Sequence, residues 1–263
     1  MFPVLFRLGP LSIHTYGALI VLGFLVGVYL IRKKAINENL NPDQLTDIAF
    51  WALLMGLLGG RILFIITLWK EFARDPLEML RFWNGGLVYY GGLIGGALTF
   101  WYLAKRYRLN VLQVMDIATP SLAIAHFFGR LGCFVAGCCF GKECDPNFPL
   151  AVVFKSPESI APVNIPLHPA QLYDAANAMI IFIALSLFYP YHKFRGQVLA
   201  IYLMIYAVGR SIVEQYRGDL VRGFVIENVL STSQFISIFV FVAGLALYFF
   251  GQKYFPIQKA ERK

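Results

Sequence analysis

The sequence predicts an all-α integral membrane protein, with about seven transmembrane helices around a lipid-accessible cavity. Three observations predict it. Of 263 residues, 58% are apolar and only 14% are charged, where a soluble domain carries roughly a quarter. Mean hydropathy is +0.63. Apolar runs of about 20 residues recur along the chain, each long enough for a bilayer core of about 30 Å. Such a composition excludes an ordinary soluble enzyme, a disordered chain and a nucleic-acid binder. The net charge of +8 reads as a topology signal, because no soluble basic domain exists to hold nucleic acid. The N-terminus lacks the pattern of a removable signal peptide.

The runs lie near residues 13–31, 46–69, 86–104, 114–137, 171–190, 197–216 and 232–251. Charge, Pro or Asn bounds each one, as at Arg32-Lys33-Lys34, Lys70-Glu71, Lys105-Arg106, Lys193-Phe194-Arg195 and Arg217-Gly218-Asp219. The fourth run is interrupted by Thr119-Pro120-Ser121, which is expected to kink or break it. Lys and Arg set orientation. Arg32, Lys33, Lys34, Lys105, Arg106, Arg108, Lys193, Arg195, Lys253, Lys259, Arg262 and Lys263 follow runs 1, 3, 5 and 7. The other side holds Arg7, Lys70, Arg74, Arg81, Lys142, Lys155, Arg217 and Arg222. The larger group predicts an N-terminus outside and a C-terminus in the cytoplasm.

One transmembrane catalytic domain, 1–263, is expected, with 138–170 as an extracytoplasmic loop within it. A connection that long is expected to be a functional lid or substrate loop, or else a disordered exposed one.

Ionisable groups within the runs are Arg61, Asp116, His126, Arg130, Asp174, Arg210 and Glu214. Such groups are costly in a membrane, usually face the protein interior and mark function. With the orientation above, Arg61, Arg130, Arg210 and Glu214 fall toward the outer half. Tyr16 and Tyr89-Tyr90 fall at outer helix starts. A guanidinium offers a planar fork of donors suited to phosphate. Arg210 and Glu214 are spaced i,i+4 and are expected to pair. Arg61 either pairs with a distant carboxylate or binds a ligand. Arg130 has no carboxylate at i±3 or i±4, so it is the leading receptor for an external anion, with snorkelling to the interface as the competing reading.

Glycines crowd the third run, Gly85-Gly86-Leu87-Val88-Tyr89-Tyr90-Gly91-Gly92-Leu93-Ile94-Gly95-Gly96. Small residues four apart let helix backbones approach closely, while a glycine-rich helix start also exposes N–H groups to an anion. The cysteines are Cys133, Cys138, Cys139 and Cys144. They are too few for a disulfide scaffold and lack paired CxxC knuckles, so neither a zinc site nor any other cofactor is expected. Cys144 remains free to bond to Cys138 or Cys139. No HExxH, GxSxG or paired acidic protease motif occurs.

Gly129-Arg130-Leu131-Gly132-Cys133-Phe134-Val135-Ala136-Gly137-Cys138-Cys139-Phe140-Gly141 resembles the GRxGNFxNxExxG signature of bacterial prolipoprotein diacylglyceryl transferases. Further stretches agree in order. Tyr16-Gly17 resembles the family's WYG element, and Gly91-Gly92-Leu93-Ile94-Gly95 its HGGLIG element. His168-Pro169-Ala170-Gln171-Leu172-Tyr173 resembles HPxQLYE. Tyr206-Ala207-Val208-Gly209-Arg210-Ser211-Ile212-Val213-Glu214 resembles YGxxRFxxE, and Ser231-Thr232-Ser233-Gln234 the late SxxQ. The resemblance covers nearly the whole chain.

The resemblance implies a multi-pass enzyme of the bacterial inner membrane, with its active site toward the outer leaflet. It would move the diacylglyceryl group of phosphatidylglycerol onto the lipobox cysteine thiol of a preprolipoprotein and release glycerol phosphate. Arg130 and Arg210 would bind the phosphate, and Glu214 would orient Arg210. Tyr16 and Tyr206 would donate to head-group or glyceryl oxygens. Gly141 would shape the turn after the signature. His168 and Gln171 would contact substrate, and Tyr90 would belong to the catalytic set. The chain departs from the family pattern at Tyr90, where many members have His. It departs again at Cys133, Ala136 and Cys138, where the signature has Asn, Asn and Glu. A phenol with pKa about 10 is a poor base at neutral pH, which leaves His168 and His126 as outer-half imidazoles. Each is also expected to serve a structural hydrogen bond. A transporter of an anionic solute is the alternative reading.

Overall fold

An apolar run in lipid satisfies its backbone polar groups only by closing into a helix. The computed structural model describes residues 4–8, 11–81, 86–157, 159–219, 223–226 and 229–257. Gly85, Arg222, Lys259, Arg262 and Lys263, used above for packing and orientation, lie outside the described residues. The long helices are α1 (Thr15–Asn37), α2 (Pro42–Thr67), α4 (Tyr89–Arg106), α5 (Val111–Ala136), α6 (Ala170–Phe188), α7 (Gln197–Gln215) and α8 (Thr232–Tyr254), with a single-turn α3 (Trp69–Phe72) after α2. All but α4 among the long ones are long and apolar enough to cross a membrane. Their outward faces carry exposed apolar side chains, such as Val21 and Leu25 on α1, Ile62 and Ile66 on α2, and Phe239 and Phe249 on α8. The chain is an all-α membrane protein, with small hairpins β1–β2 (Val4–Leu8, Leu11–His14), β3–β4 (Val152–Val153, Pro166–Leu167) and β5–β6 (Phe224–Ile226, Leu230–Ser231) between the helices.

Helix starts follow local chemistry. Asn41 caps α2 by accepting from the Asp43 amide at 2.9 Å, and Pro42 takes the first helical position. Ser231 and Gln234 form a reciprocal capping box at α8, with 3.1 Å bonds in both directions. The Asp116 carboxylate of α5 accepts from the Gly196 amide at 2.6 Å and the Leu199 amide at 2.9 Å, so a buried acid satisfies the start of α7. The expected break at Pro120 does not occur: α5 runs through it unbroken. The preceding Thr119 hydroxyl donates to the Met115 carbonyl at 2.6 Å, while the carbonyl that proline deprives of an amide is that of Asp116, four residues back.

The chain divides into two compact units, Met1–Leu30 with Met115–Lys263, and Ile31–Val114. In the second unit, α2 packs closely on α4 at a series of glycines. A Cβ at Gly91 would run into the Gly59 carbonyl oxygen, and one at Gly95 into that of Met55. The four-residue glycine spacing is therefore a packing seam. Arg61 of α2 is buried and donates to the carbonyls of Glu78 (2.7 Å), Met79 (3.3 Å), Arg81 (3.2 Å) and Gly86 (3.4 Å). Its guanidinium pins the chain between α2 and α4 and serves structure.

In the first unit, Ala123 of α5, Ile181 and Leu185 of α6 and Val198 of α7 form the buried core. The 138–170 connection is an ordered cap with its own core, in which Phe154, Ala161 and Leu167 are buried against Phe134 and Phe140. Strands β3 and β4 pair antiparallel, Val152 with Leu167 and Val153 with Pro166.

The seam is testable. Gly91→Leu forces side-chain atoms into α2 backbone, and overpacking of this kind costs about 1–3 kcal/mol. The expected result is a lower melting temperature in detergent; Leu93→Ile, on an exposed position, serves as the control and should leave it unchanged.

Candidate active site

Periodicity alone aligns two rows of functional side chains in the first unit. On α5, His126, Arg130 and Cys133 are spaced i, i+4, i+7 and share one face. On α7, Tyr206, Arg210 and Glu214 are spaced i, i+4, i+8 and do the same. The rows meet where the His126 and Tyr206 rings lie 5.8 Å apart. Tyr206 is itself stacked on Tyr202 at 5.6 Å. Charges of Arg130, Asp174 and Arg210 all act on the His126 imidazole.

The sequence reading of Arg130 as lacking a carboxylate partner is corrected here. Its Nε lies 3.0 Å from Asp174 Oδ2 on α6, and Nε also donates to His126 Nε2 at 2.9 Å. Asp174 sits one residue beyond the His168–Tyr173 element, where the family pattern has Glu, and that offset is the signal by which sequence could have found it. The Asp174 side chain is 2% exposed and that of Arg130 18%. Both contacts use Nε. Among the described residues the Nη pair of Arg130 makes no protein hydrogen bond.

Arg210 pairs with Glu214 at 2.6 Å, as the i,i+4 spacing predicts. Its Nη2 also donates to the Ser233 hydroxyl at 3.0 Å, so the capped start of α8 is fastened to the α7 guanidinium. A groove of about 410 Å³ opens between α7 and α8. Ala207, Val208, Ile212, Ile238 and Phe241 line it, with Ser211 and Gln234 among them.

The signature loop is built from backbone contacts. Gly141 pairs with Arg217 as a single strand-like bridge. The Lys142 amide donates to the Tyr216 carbonyl at 2.8 Å, and the Gly218 amide to that of Phe140 at 3.0 Å. A Cβ at Gly141 would strike the His168 carbonyl, so only glycine fits between the strands. Gln171 is buried and donates to the Cys138 carbonyl at 2.8 Å. His168 Nδ1 lies 3.1 Å from the Tyr173 hydroxyl, and its ring packs on Tyr216 and Phe148. Both imidazoles, His126 and His168, thus make protein hydrogen bonds. The Tyr16 ring and backbone sit where a Cβ on Gly132 would go, and Tyr16 feels the charges of Arg130 and of Cys133, Cys138 and Cys139. Tyr90 lies in the other unit, at the start of α4, half-exposed and edge-on to Tyr89.

All four cysteines are free thiols. The Sγ atoms of Cys133, Cys138 and Cys139 lie within 4.8 Å of one another; Cys144 stands apart. Hydrogen bonds with Cys133 and Cys138 push the Cys139 thiol down, aided by the Arg217 and Arg130 guanidinium groups, while hydrogen bonds with Cys133 and Cys139 push Cys138 up. Burial alone would lower the Arg217 pKa, but its hydrogen bond to Asp219 and the nearby Cys139 and Asp219 charges raise it instead.

The family model described as prolipoprotein diacylglyceryl transferase matches residues 3–250. The phosphatidylglycerol–prolipoprotein diacylglyceryl transferase of Clostridium tetani is 40% identical over 248 residues, covering 94% of this chain and 97% of that protein. The second such enzyme of Clostridium perfringens is 39% identical over 245 residues, covering 93% of each. That of Legionella pneumophila subsp. pneumophila is 32% identical over 252 residues, covering 94% and 95%.

Removing one partner of a buried ion pair leaves an uncompensated charge and costs about 3–5 kcal/mol. Asp174→Ala should therefore lower the unfolding temperature in detergent. Adding Arg130→Met to it should recover part of the loss, because the stranded charge goes too. A double variant less stable than Asp174→Ala would contradict the pairing.

Proposed function

The chain belongs to the prolipoprotein diacylglyceryl transferase family, and we propose that its α5–α6–α7 charge cluster is where that chemistry takes place. Membership makes it a membrane transferase of lipoprotein biosynthesis, acting at the first step of lipoprotein maturation. Its substrates are phosphatidylglycerol and a prolipoprotein. The acceptor is the lipobox cysteine thiol, and the products are a thioether-linked diacylglyceryl group and glycerol phosphate. The enzyme spans the inner membrane seven times, α4 included, as one catalytic domain with its N-terminus outside and its site toward the outer leaflet. An anion transporter, the other reading of the intramembrane charges, does not account for the family match.

One observation supports the site assignment: the Arg130 guanidinium is anchored at Nε by Asp174 and His126, which leaves its Nη pair without a protein hydrogen bond among the described residues. An anchored fork is a preorganised receptor for a phosphodiester. In the reaction the sulfur attacks a glyceryl carbon, the C–O bond breaks and the phosphate oxygen gains charge. Donors already aimed at that oxygen stabilise the transition state without reorganising. Arg210, held by Glu214 and Ser233, is the second guanidinium. Tyr16 and Tyr206 hydroxyls bind head-group or glyceryl oxygens, and His168, Gln171 and Gly141 shape the wall that the signature loop presents to substrate. The apolar groove between α7 and α8 takes acyl chains arriving from the bilayer. His126 accepts the Arg130 Nε–H at Nε2. Its proton is therefore on Nδ1, which makes it a positioning group for Arg130.

Transfer of radiolabelled diacylglyceryl from phosphatidylglycerol to a lipobox peptide tests this. Arg130→Ala should lose at least on the order of 100- to 1000-fold in rate, the cost of one transition-state donor, with normal expression and insertion. Wild-type rates from that variant would remove Arg130 from the site. Tyr90→Phe should slow transfer by losing a hydrogen bond and retain measurable turnover; complete loss with lipid binding intact would make the phenol essential.

A further inference from the structure

The thiol of the acceptor must lose its proton before it attacks, from an unperturbed pKa of about 8.5. The two imidazoles singled out from the sequence, His126 and His168, each have a ring nitrogen engaged by the protein. His126 Nε2 is occupied by Arg130 and His168 Nδ1 faces Tyr173. Where the family signature carries Asn and Glu, this chain places Cys133 and Cys138, and the fold adds Cys139.

We propose that Cys133, Cys138 and Cys139 bind a thiophilic d¹⁰ metal ion of the zinc class, and that its open fourth position takes the thiol of the acceptor cysteine. The second half rests on the transferase reading above. Zinc–sulfur bonds of about 2.3 Å set three coordinated sulfurs about 4 Å apart. The three Sγ atoms already lie within 4.8 Å of one another, so rotamer adjustments suffice. Soft sulfur ligands select this class over oxygen-loving cations.

The arrangement is built. The Cys138 amide donates to the Cys133 carbonyl at 3.1 Å, which folds the chain back on the end of α5. Gly137 at φ 74° and Cys139 at φ 58° hold left-handed conformations, and the latter is uncommon for a residue with a side chain. Gln171 fixes the Cys138 carbonyl from α6. No disulfide consumes any of the three.

Ligand count and charge define the role. Structural zinc sites are closed by four protein ligands, and catalytic ones keep three and an open position. No fourth His, Cys, Asp or Glu joins this group among the described residues. Three thiolates and one divalent cation leave net negative charge, and Arg130 and Arg217 both lie within electrostatic reach of the cluster. Arg130 is one turn from Cys133 on the same face of α5, so metal and phosphate receptor are neighbours. A metal-bound thiol is deprotonated outright. Its proton passes to water. The sulfur then bonds to the glyceryl carbon as the C–O bond breaks, and that electron pair leaves on the phosphate oxygen of glycerol phosphate. The metal ion keeps its oxidation state throughout.

The test uses the full-length chain purified in detergent, with Zn²⁺ and Co²⁺ as probes. One Zn²⁺ per chain is expected, and Co²⁺ should give thiolate charge-transfer absorption. Cys133→Ser and Cys139→Ser should each weaken Zn²⁺ binding by more than about 100-fold, beyond the cost of an outer-shell partner, while Cys144→Ser keeps it. Chelator-stripped wild type should transfer at least about tenfold more slowly, with unchanged phosphatidylglycerol binding, and recover on adding Zn²⁺. The absence of Co²⁺–thiolate absorption in the wild-type chain overturns the site. A verified metal-free enzyme that transfers at full rate overturns thiol activation and leaves the transferase reading intact. A zinc-loaded enzyme that binds Co²⁺ through sulfur yet transfers nothing overturns the transferase reading instead.

Discussion

A charge inside an apolar helix must find its partner before the helix can pack, and that constraint organises the first unit. Asp174 meets Arg130, Glu214 meets Arg210, and Asp116 meets the amides that open α7. Each contact joins, or braces, a helix that apolar side chains alone would leave free to slide. In lipid there is little hydrophobic force between helices, so polar contacts and close backbone packing define register. The same contacts leave selected donors unspent. The anchoring of Arg130 through Nε both stabilises the bundle and aims the rest of its guanidinium.

What was legible in the sequence follows the range of each interaction. The helices appear within a few residues of the apolar runs, because length and hydropathy are local properties. Arg210–Glu214 was legible because both ends sit on one helix at i,i+4. Arg130–Asp174 was not, since its ends lie on different helices and no single-helix spacing encodes their meeting. Pro120 is expected from its residue type to kink or break the fourth run, and the helix α5 continues through it. The 138–170 connection lacks periodicity, yet Phe154 and Leu167 give it a core that only the fold brings together. The cysteine trio hides in the same way. Paired-knuckle spacing finds ligands that are close in both sequence and space, and this cluster closes through a helix end, a glycine turn and a left-handed residue.

Several of the chain's departures from its family's pattern are of one chemical kind. The guanidinium groups, Tyr16, Tyr206 and Gly141 stand at the positions of the family's pattern. The changes at Cys133, Ala136, Cys138 and Tyr90 touch groups suited to handling protons and hydrogen bonds.

The α2–α4 interface holds a different lesson. Where Gly59 meets Gly91, backbone lies directly on backbone, and neither residue has a side chain to be resized when the other changes. A substitution on one helix cannot be compensated by a smaller residue on the other, since glycine is already the smallest. That face is consequently closed to gradual drift, whereas the bilayer-facing residues of the same helices, Leu57, Ile62, Leu93 and Leu98, are free to exchange among apolar types.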